Sequence, residues 1–154
     1  VEMVPDNALF RINLGRALLA NGGPEELEEA RRQLQRATIL ERDNSFAWFE
    51  LARVYSAQGN EPMANLATAE SKFHAGAKPD ANQFARRAMM RIERGTPEWR
   101  QAADIILATQ PAEGAPPLPT GVAESEPKPL PKPDNKKPER QDVPDPIVID
   151  DGSR

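Results

Sequence analysis

Apolar residues recur at helical spacing through the first two-thirds of the chain, with polar and charged residues between them. Trp48, Leu51, Ala52 and Tyr55 follow i, i+3, i+4, i+7, and so do Trp99, Ala102, Ala103 and Ile106, so each set lines one face of a helix. Narrower stripes run through Leu27, Ala30, Leu34 and Ala37 and through Ala85, Ala88, Met89 and Ile92. No run alternates strictly, as a half-buried strand would.

Capping chemistry sets the boundaries. Asn21-Gly22-Gly23 closes a first helix, and Pro24 suits the first turn of a second. Glu25, Glu26, Glu28 and Glu29 crowd that start, with Arg31, Arg32 and Arg36 beyond, an order that complements the helix dipole and supplies a Glu28/Arg32 pair. Asp43-Asn44-Ser45 offers a cap and Gly59-Asn60 a stop. Asp80 with Gln83 reads as a capping box, and Thr96-Pro97-Glu98 as a cap followed by proline at the first helical position. The spacing predicts six helices, roughly 6–20, 24–41, 45–58, 61–75, 80–94 and 97–109. Connections this short favour antiparallel pairs. Ala30, Ala37, Ala52, Ala64, Ala81 and Ala88 stand where neighbours must approach closely, with Trp48, Phe49 and Tyr55 filling the gaps, which predicts an all-α helical solenoid over residues 1–110.

Composition changes near residue 110. Eleven of the 16 prolines fall in 111–154, a stretch without an aromatic residue whose six Lys or Arg and nine Asp or Glu leave it at −3. Proline removes helical hydrogen bonds and little apolar surface remains to offset chain entropy, so 111–154 reads as a disordered, Pro-rich acidic tail. Pro127-Lys128-Pro129-Leu130-Pro131-Lys132-Pro133 favours extended polyproline II. A functional alternative makes the tail a proline-rich ligand, or makes Ile147-Val148-Ile149 a strand added to a partner's sheet edge.

Charge and composition narrow the chemistry. A net charge of −4 argues against nucleic acid, whose phosphates need clustered Lys and Arg. One histidine and no cysteine argue against a self-contained zinc site and exclude disulfides and thiolate chemistry. No apolar run reaches a membrane-spanning length. The chain opens on Val1 without a basic-then-apolar leader, which suggests processing or excision from a longer chain. No nucleophile elbow, phosphate loop or glycine-rich nucleotide motif is present. His74 is expected to act as a surface cation near a helix C-terminus rather than as a metal ligand. Glu98 and Asp104 lie on different faces of one helix and read as cap and surface charges, Asp104 pairing with Arg100.

Trp48, Leu51, Ala52, Tyr55, Gly59 and Ala64 match the order and spacing of the tetratricopeptide (TPR) consensus, which the central repeat therefore resembles. Leu14, Gly15 and Leu18 match the first helix of a preceding repeat, and Ala30, Leu34 and Ala37 its second; Ala30 and Ala64 lie 34 residues apart, the TPR period. Downstream the match weakens: Thr68 and Ser71 stand where a bulky residue and an alanine are usual. A finer resemblance joins Trp48-x2-Leu51-Ala52, Ala64-Asn65-Leu66-Ala67-x2-Glu70, Phe84-Ala85-Arg86-Arg87-Ala88 and Gly95-Thr96-Pro97-Glu98-Trp99-x2-Ala102-x-Asp104-Ile105. Together they are similar to the C-terminal TPR region of bacterial periplasmic zinc metalloproteases that serve outer-membrane-assembly quality control. That resemblance implies a periplasmic docking module for outer-membrane assembly machinery or misfolded clients, with zinc and His-Glu-x-x-His in an upstream domain. His74, between Phe73 and Ala75, forms no such motif, so no catalytic residue, metal ligand or cofactor site carries over onto this chain. The alternative is a stand-alone TPR adaptor, which leaves a cytoplasmic location open; self-association through an unfinished apolar end is a third expectation.

In TPR arrays the first helix of each pair lines a concave groove. The resemblance maps that groove onto Asn13 and Arg16 in the first repeat and onto Phe46, Phe49, Glu50 and Arg53 in the second. Phe49 and Arg53, one turn apart, would set an apolar contact beside a cation, suited to an extended or helical peptide. Alternatively, Phe46 and Phe49 only pack on neighbouring helices. Phe49 and Glu50 occupy places where a carboxylate clamp needs polar or basic residues, which argues against capture of a peptide C-terminus.

Overall fold

The computed structural model describes residues 6–111 and 116–122. Six helices follow in order: α1 (Ala8–Asn21), α2 (Pro24–Leu40), α3 (Ser45–Ala57), α4 (Glu61–His74), α5 (Lys78–Met89) and α6 (Pro97–Thr109). The caps at Asn44 and Thr96 are those expected, and Asn7 supplies a further one. Asn7 accepts from the amides of Leu9 and Phe10, Asn44 from those of Phe46 and Ala47, and Thr96 from that of Trp99. At the stops, Gly22, Gly59 and Gly76 take left-handed backbone, where a side chain would be strained. The Asn60 amide then reaches back to Tyr55 O (2.9 Å) and the Ala77 amide to Lys72 O (2.9 Å), satisfying carbonyls the helix leaves open.

Three boundaries differ from the sequence reading by two residues or more: α1 starts at Ala8 rather than 6, because Asn7 caps it, and the other two are in α5. This helix starts at Lys78 with Ala77 as its cap residue, so Asp80 sits inside the first turn and forms no capping box. It ends at Met89 rather than 94, although Ile92 stays buried. The reason is a competing partner for the backbone. Ile92 O accepts from the Val122 amide (3.2 Å) and the Arg94 amide donates to Val122 O (2.9 Å), a single parallel bridge.

Residues 116–122 thus lie within the stretch read as tail yet pack on the helical body. Leu118 rests on the apolar cluster of α5 and α6, and Arg86 donates to Pro116 O (2.9 Å) and Pro117 O (2.8 Å). Gly121, at φ 73°, crosses so close to Trp99 that a Cβ there would stand 2.6 Å from the indole nitrogen. The polyproline II stretch at 127–133 and the strand at 147–149 lie outside the described residues.

Each helix packs on the next, with two longer steps, α1 on α3 and α4 on α6. That nearest-neighbour pattern is the packing of a helical solenoid. Ile12, Ala30, Leu34, Ala37, Ala47, Leu51, Val54 and Ala64 join α1–α4 in one core cluster, and Leu66, Ala69, Ala81, Ala85, Ala88, Met89, Ala102 and Ile106 join α4–α6 in another. α4 serves both, through Ala64 and Ala67 on one side and Leu66 and Ala69 on the other. Gly15 lets α1 come down onto α2, since a Cβ at that position would stand 2.6 Å from Leu34 Cγ.

Ion pairs fasten the surface, the closest of them at i,i+3 rather than at the expected i,i+4 spacing, which is also present. Glu28 pairs most closely with Arg31 and Glu29 with Arg32, while the Glu28–Arg32 approach is only 4.0 Å. Arg100 and Asp104 form no ion pair among the described residues. Asp6 joins Arg36 (2.6 Å) and Arg11 (2.7 Å), and hydrogen bonds from those guanidiniums, Arg36 first, hold its carboxyl below the usual aspartate value. No helix of the described residues is long and apolar enough to cross a membrane.

Candidate functional site

Five of the six side chains expected on the groove come together on α1 and α3. Glu50 is the centre. It lies one position from Phe49 on α3, turned inward, and its side chain is 2% exposed. Its carboxylate accepts from Arg53 Nη1 at 2.8 Å and faces Arg16 Nε of α1 at 3.6 Å. Both arginines are half exposed, so their outer N–H groups remain open to solvent. Burying a carboxylate is costly unless it is paired, and these two cations, one on each helix, meet that need.

The aromatic residues complete the patch. Phe46 and Phe49 are 44% and 49% exposed, so packing on neighbouring helices leaves much of each residue open to solvent. Their rings stack with centroids 6.4 Å apart and 24° between planes. The Arg16 guanidinium lies over the Phe46 ring at 5.6 Å, within cation–π range. An apolar shelf is thereby flanked by cations. Asn13 is exposed on α1.

Beside the shelf opens a groove of about 500 Å³ between α1, α3 and α4. Leu19, Phe49, Ala52 and Arg53 form one side, and Thr68, Ser71 and Lys72 of α4 the other. The α4 residues were not among the expected site residues, but a sequence signal marked two of them. Thr68 and Ser71 stand where the repeat pattern departs from bulky and alanine residues. Thr68 Oγ1 turns back to Ala64 O (2.8 Å) and Ser71 Oγ donates to Ser45 O (2.8 Å). Short side chains tied to the backbone leave open the space a bulky residue would fill. Lys72 adds a third cation on the rim.

His74 ends α4, as expected, and its Nε2 lies 3.3 Å from Glu70 Oε2. No three metal-ligating side chains converge among the described residues. The groove therefore offers shape, an apolar shelf and positive charge, which are the requirements of binding.

The fold and this site define the chain as an α-helical solenoid with an exposed aromatic–basic groove. No protein-family model, curated protein or solved structure matches it.

Proposed function

We propose that the chain is a protein-interaction module whose α1–α3–α4 groove docks a peptide segment or client protein. The supporting observation is the exposed Phe46–Phe49 stack, with Arg16 over the Phe46 ring and Arg53 lining the groove beside Phe49. Solvent-exposed rings beside half-exposed arginines suit an apolar side chain of the ligand followed by a carboxylate. Glu50 lies beneath the surface and neutralises part of the charge, while Lys72 adds to it, so the favoured ligand is an acidic–apolar segment rather than a bare anion. Such a role calls for no catalysis by these 154 residues.

The residue pattern that resembles the C-terminal region of periplasmic zinc metalloproteases supports a more specific version. In it the chain is the docking end of such a protease, acting in the periplasm on outer-membrane assembly factors or misfolded clients. The stand-alone adaptor is the competing version. A His-Glu-x-x-His helix encoded upstream of Val1 would favour the first, and a signal peptide running directly into the helical repeats would favour the second.

The groove is tested by fluorescence anisotropy with a labelled peptide alternating leucine and glutamate. Phe46→Ala with Phe49→Ala removes exposed rings, so circular dichroism should stay unchanged while affinity falls at least about tenfold, the equivalent of roughly 1.4 kcal/mol. Equal affinity for both proteins would remove the groove from the account.

A further inference from the structure

On the other side of the α3–α4 hairpin, two adjoining cavities of about 260 and 350 Å³ share Trp48 and Gln101 as lining residues. Together they form a trough bounded by α2, α3, α4 and α6, on different faces of α3 and α4 from the groove described above. Its chemistry is the reverse of that groove. Trp48 and Phe73 supply aromatic surface, Ile39 supplies exposed aliphatic surface, and Glu70, Glu98 and Asp104 supply carboxylates. Against them stand Arg42 and His74, the latter already engaged with Glu70.

Glu70 carries the most information. It is 8% exposed and belongs to α4, next to the shared core. Gln101 Nε2 of α6 donates to its Oε1 and His74 Nε2 approaches its Oε2, so the carboxylate is held in a fixed direction from two helices. A carboxylate has about four acceptor positions, and these contacts use two. Glu98, at the far end, lies close enough to Tyr55 that its charge helps raise the phenol's pKa. Asp104, exposed on α6, lacks the Arg100 partner its spacing suggests. Fixed negative charge beside a half-buried indole that lines both cavities is the chemistry that recognises a cationic side chain.

We infer that this trough is a second, separate docking site for a basic–apolar peptide segment: an arginine or lysine lies against Trp48 and is drawn to Glu70 and Asp104, while its apolar neighbours rest against the exposed Ile39. The inference does not depend on the groove. The two sites would sort ligands by charge, with acidic–apolar segments on one side of the hairpin and basic–apolar segments on the other.

The test uses the full chain carrying Trp99→Phe. Trp99 Nε1 is buried without a hydrogen-bond partner among the described residues, so this change breaks no bond seen there and leaves Trp48 as the sole tryptophan. An acetylated, amidated peptide alternating leucine and arginine is titrated against Trp48 emission. The expected result is a saturable change that weakens with added salt, and that weakens about tenfold when Glu98→Gln and Asp104→Asn are combined. Phe46→Ala with Phe49→Ala should leave it unaltered, and the leucine–glutamate counterpart should produce no saturable change. Any of four results would overturn the inference: no saturation by the arginine peptide, indifference to the carboxylate substitutions, loss on removing the two phenylalanines, or equal response to the acidic peptide. Sedimentation supplies a fifth, since a concentration-dependent mass abolished by the same two carboxylate substitutions would assign the trough to a second copy of the chain.

Discussion

Removing the two arginines that hold Glu50 should cost far more together than the sum of their separate losses. The geometry supplies the magnitude. Arg53 donates to Glu50 at 2.8 Å and Arg16 stands 3.6 Å away, yet both guanidiniums are half in water while the carboxylate is 2% exposed. Screening by solvent limits each arginine's own contribution, so Arg16→Met should cost about 0.5 kcal/mol and Arg53→Met about 1 kcal/mol. Methionine keeps most of the alkyl stem that packs beside the phenylalanines. Neither single change leaves Glu50 alone. With both arginines gone, a buried carboxylate stands uncompensated, a situation that costs about 3–5 kcal/mol. The excess over additivity is then about 2 kcal/mol. Glu50→Gln should abolish it, because a neutral amide does not need the cations. Urea unfolding followed by circular dichroism, with the slope held common to all variants, measures each step. Additive losses in the Glu50 background, or the same excess after Glu50→Gln, would refute the claim that this buried carboxylate organises the groove.

Further predictions concern single positions. Burial, foremost, pushes the Tyr55 phenol above its usual 10.0, against the opposing hydrogen bond from Gln35. The neutral phenol is the form the fold favours, so this stabilisation is complete below the unfolded value and is lost as pH rises through the folded one. As the only tyrosine, Tyr55 can be followed by phenolate absorbance, with a midpoint above 10 when folded that returns to about 10 in denaturant; a folded midpoint at or below 10 would contradict its burial. Gly15→Ala drives a methyl to 2.6 Å from the fully buried Leu34. Overpacking of about 1–3 kcal/mol should outweigh the gain of up to about 1 kcal/mol in helix propensity. Thermal unfolding checks the sign, and adding Leu34→Ala should cost less than it does in the wild-type chain.

The helices were legible because their signals are local and redundant. Asn44, Thr96 and Pro24 cap or open helices on chemistry that needs nothing beyond the next turn, and the stripe from Trp48 to Tyr55 repeats often enough to fix a face. α5 was misread at both ends for a physical reason. Gly76 and Ala77 set its start before Asp80 could act, and its end is decided by hydrogen bonds to Val122, about thirty residues away, which no local pattern encodes. Leu118 was hidden in the same way: a lone leucine among prolines carries no periodicity, yet it completes an apolar face. At the candidate site, Phe46, Phe49, Arg16 and Arg53 were singled out by their repeat positions, and they lie together on α1 and α3. The burial of Glu50 and the aromatic–acidic trough did not, since both depend on how α1, α4 and α6 are placed around α3.

The most direct measurement is chemical-shift mapping of the full chain on addition of the leucine–glutamate peptide. The account predicts perturbations concentrated on the Phe46 and Phe49 rings, the methyls of Leu19, Ala52 and Thr68, and the Arg16 and Arg53 side chains, with α5, α6 and residues 116–122 unaffected. Shifts centred on Trp48, Gln101 and Ile105 instead, or scattered without a focus, would contradict it.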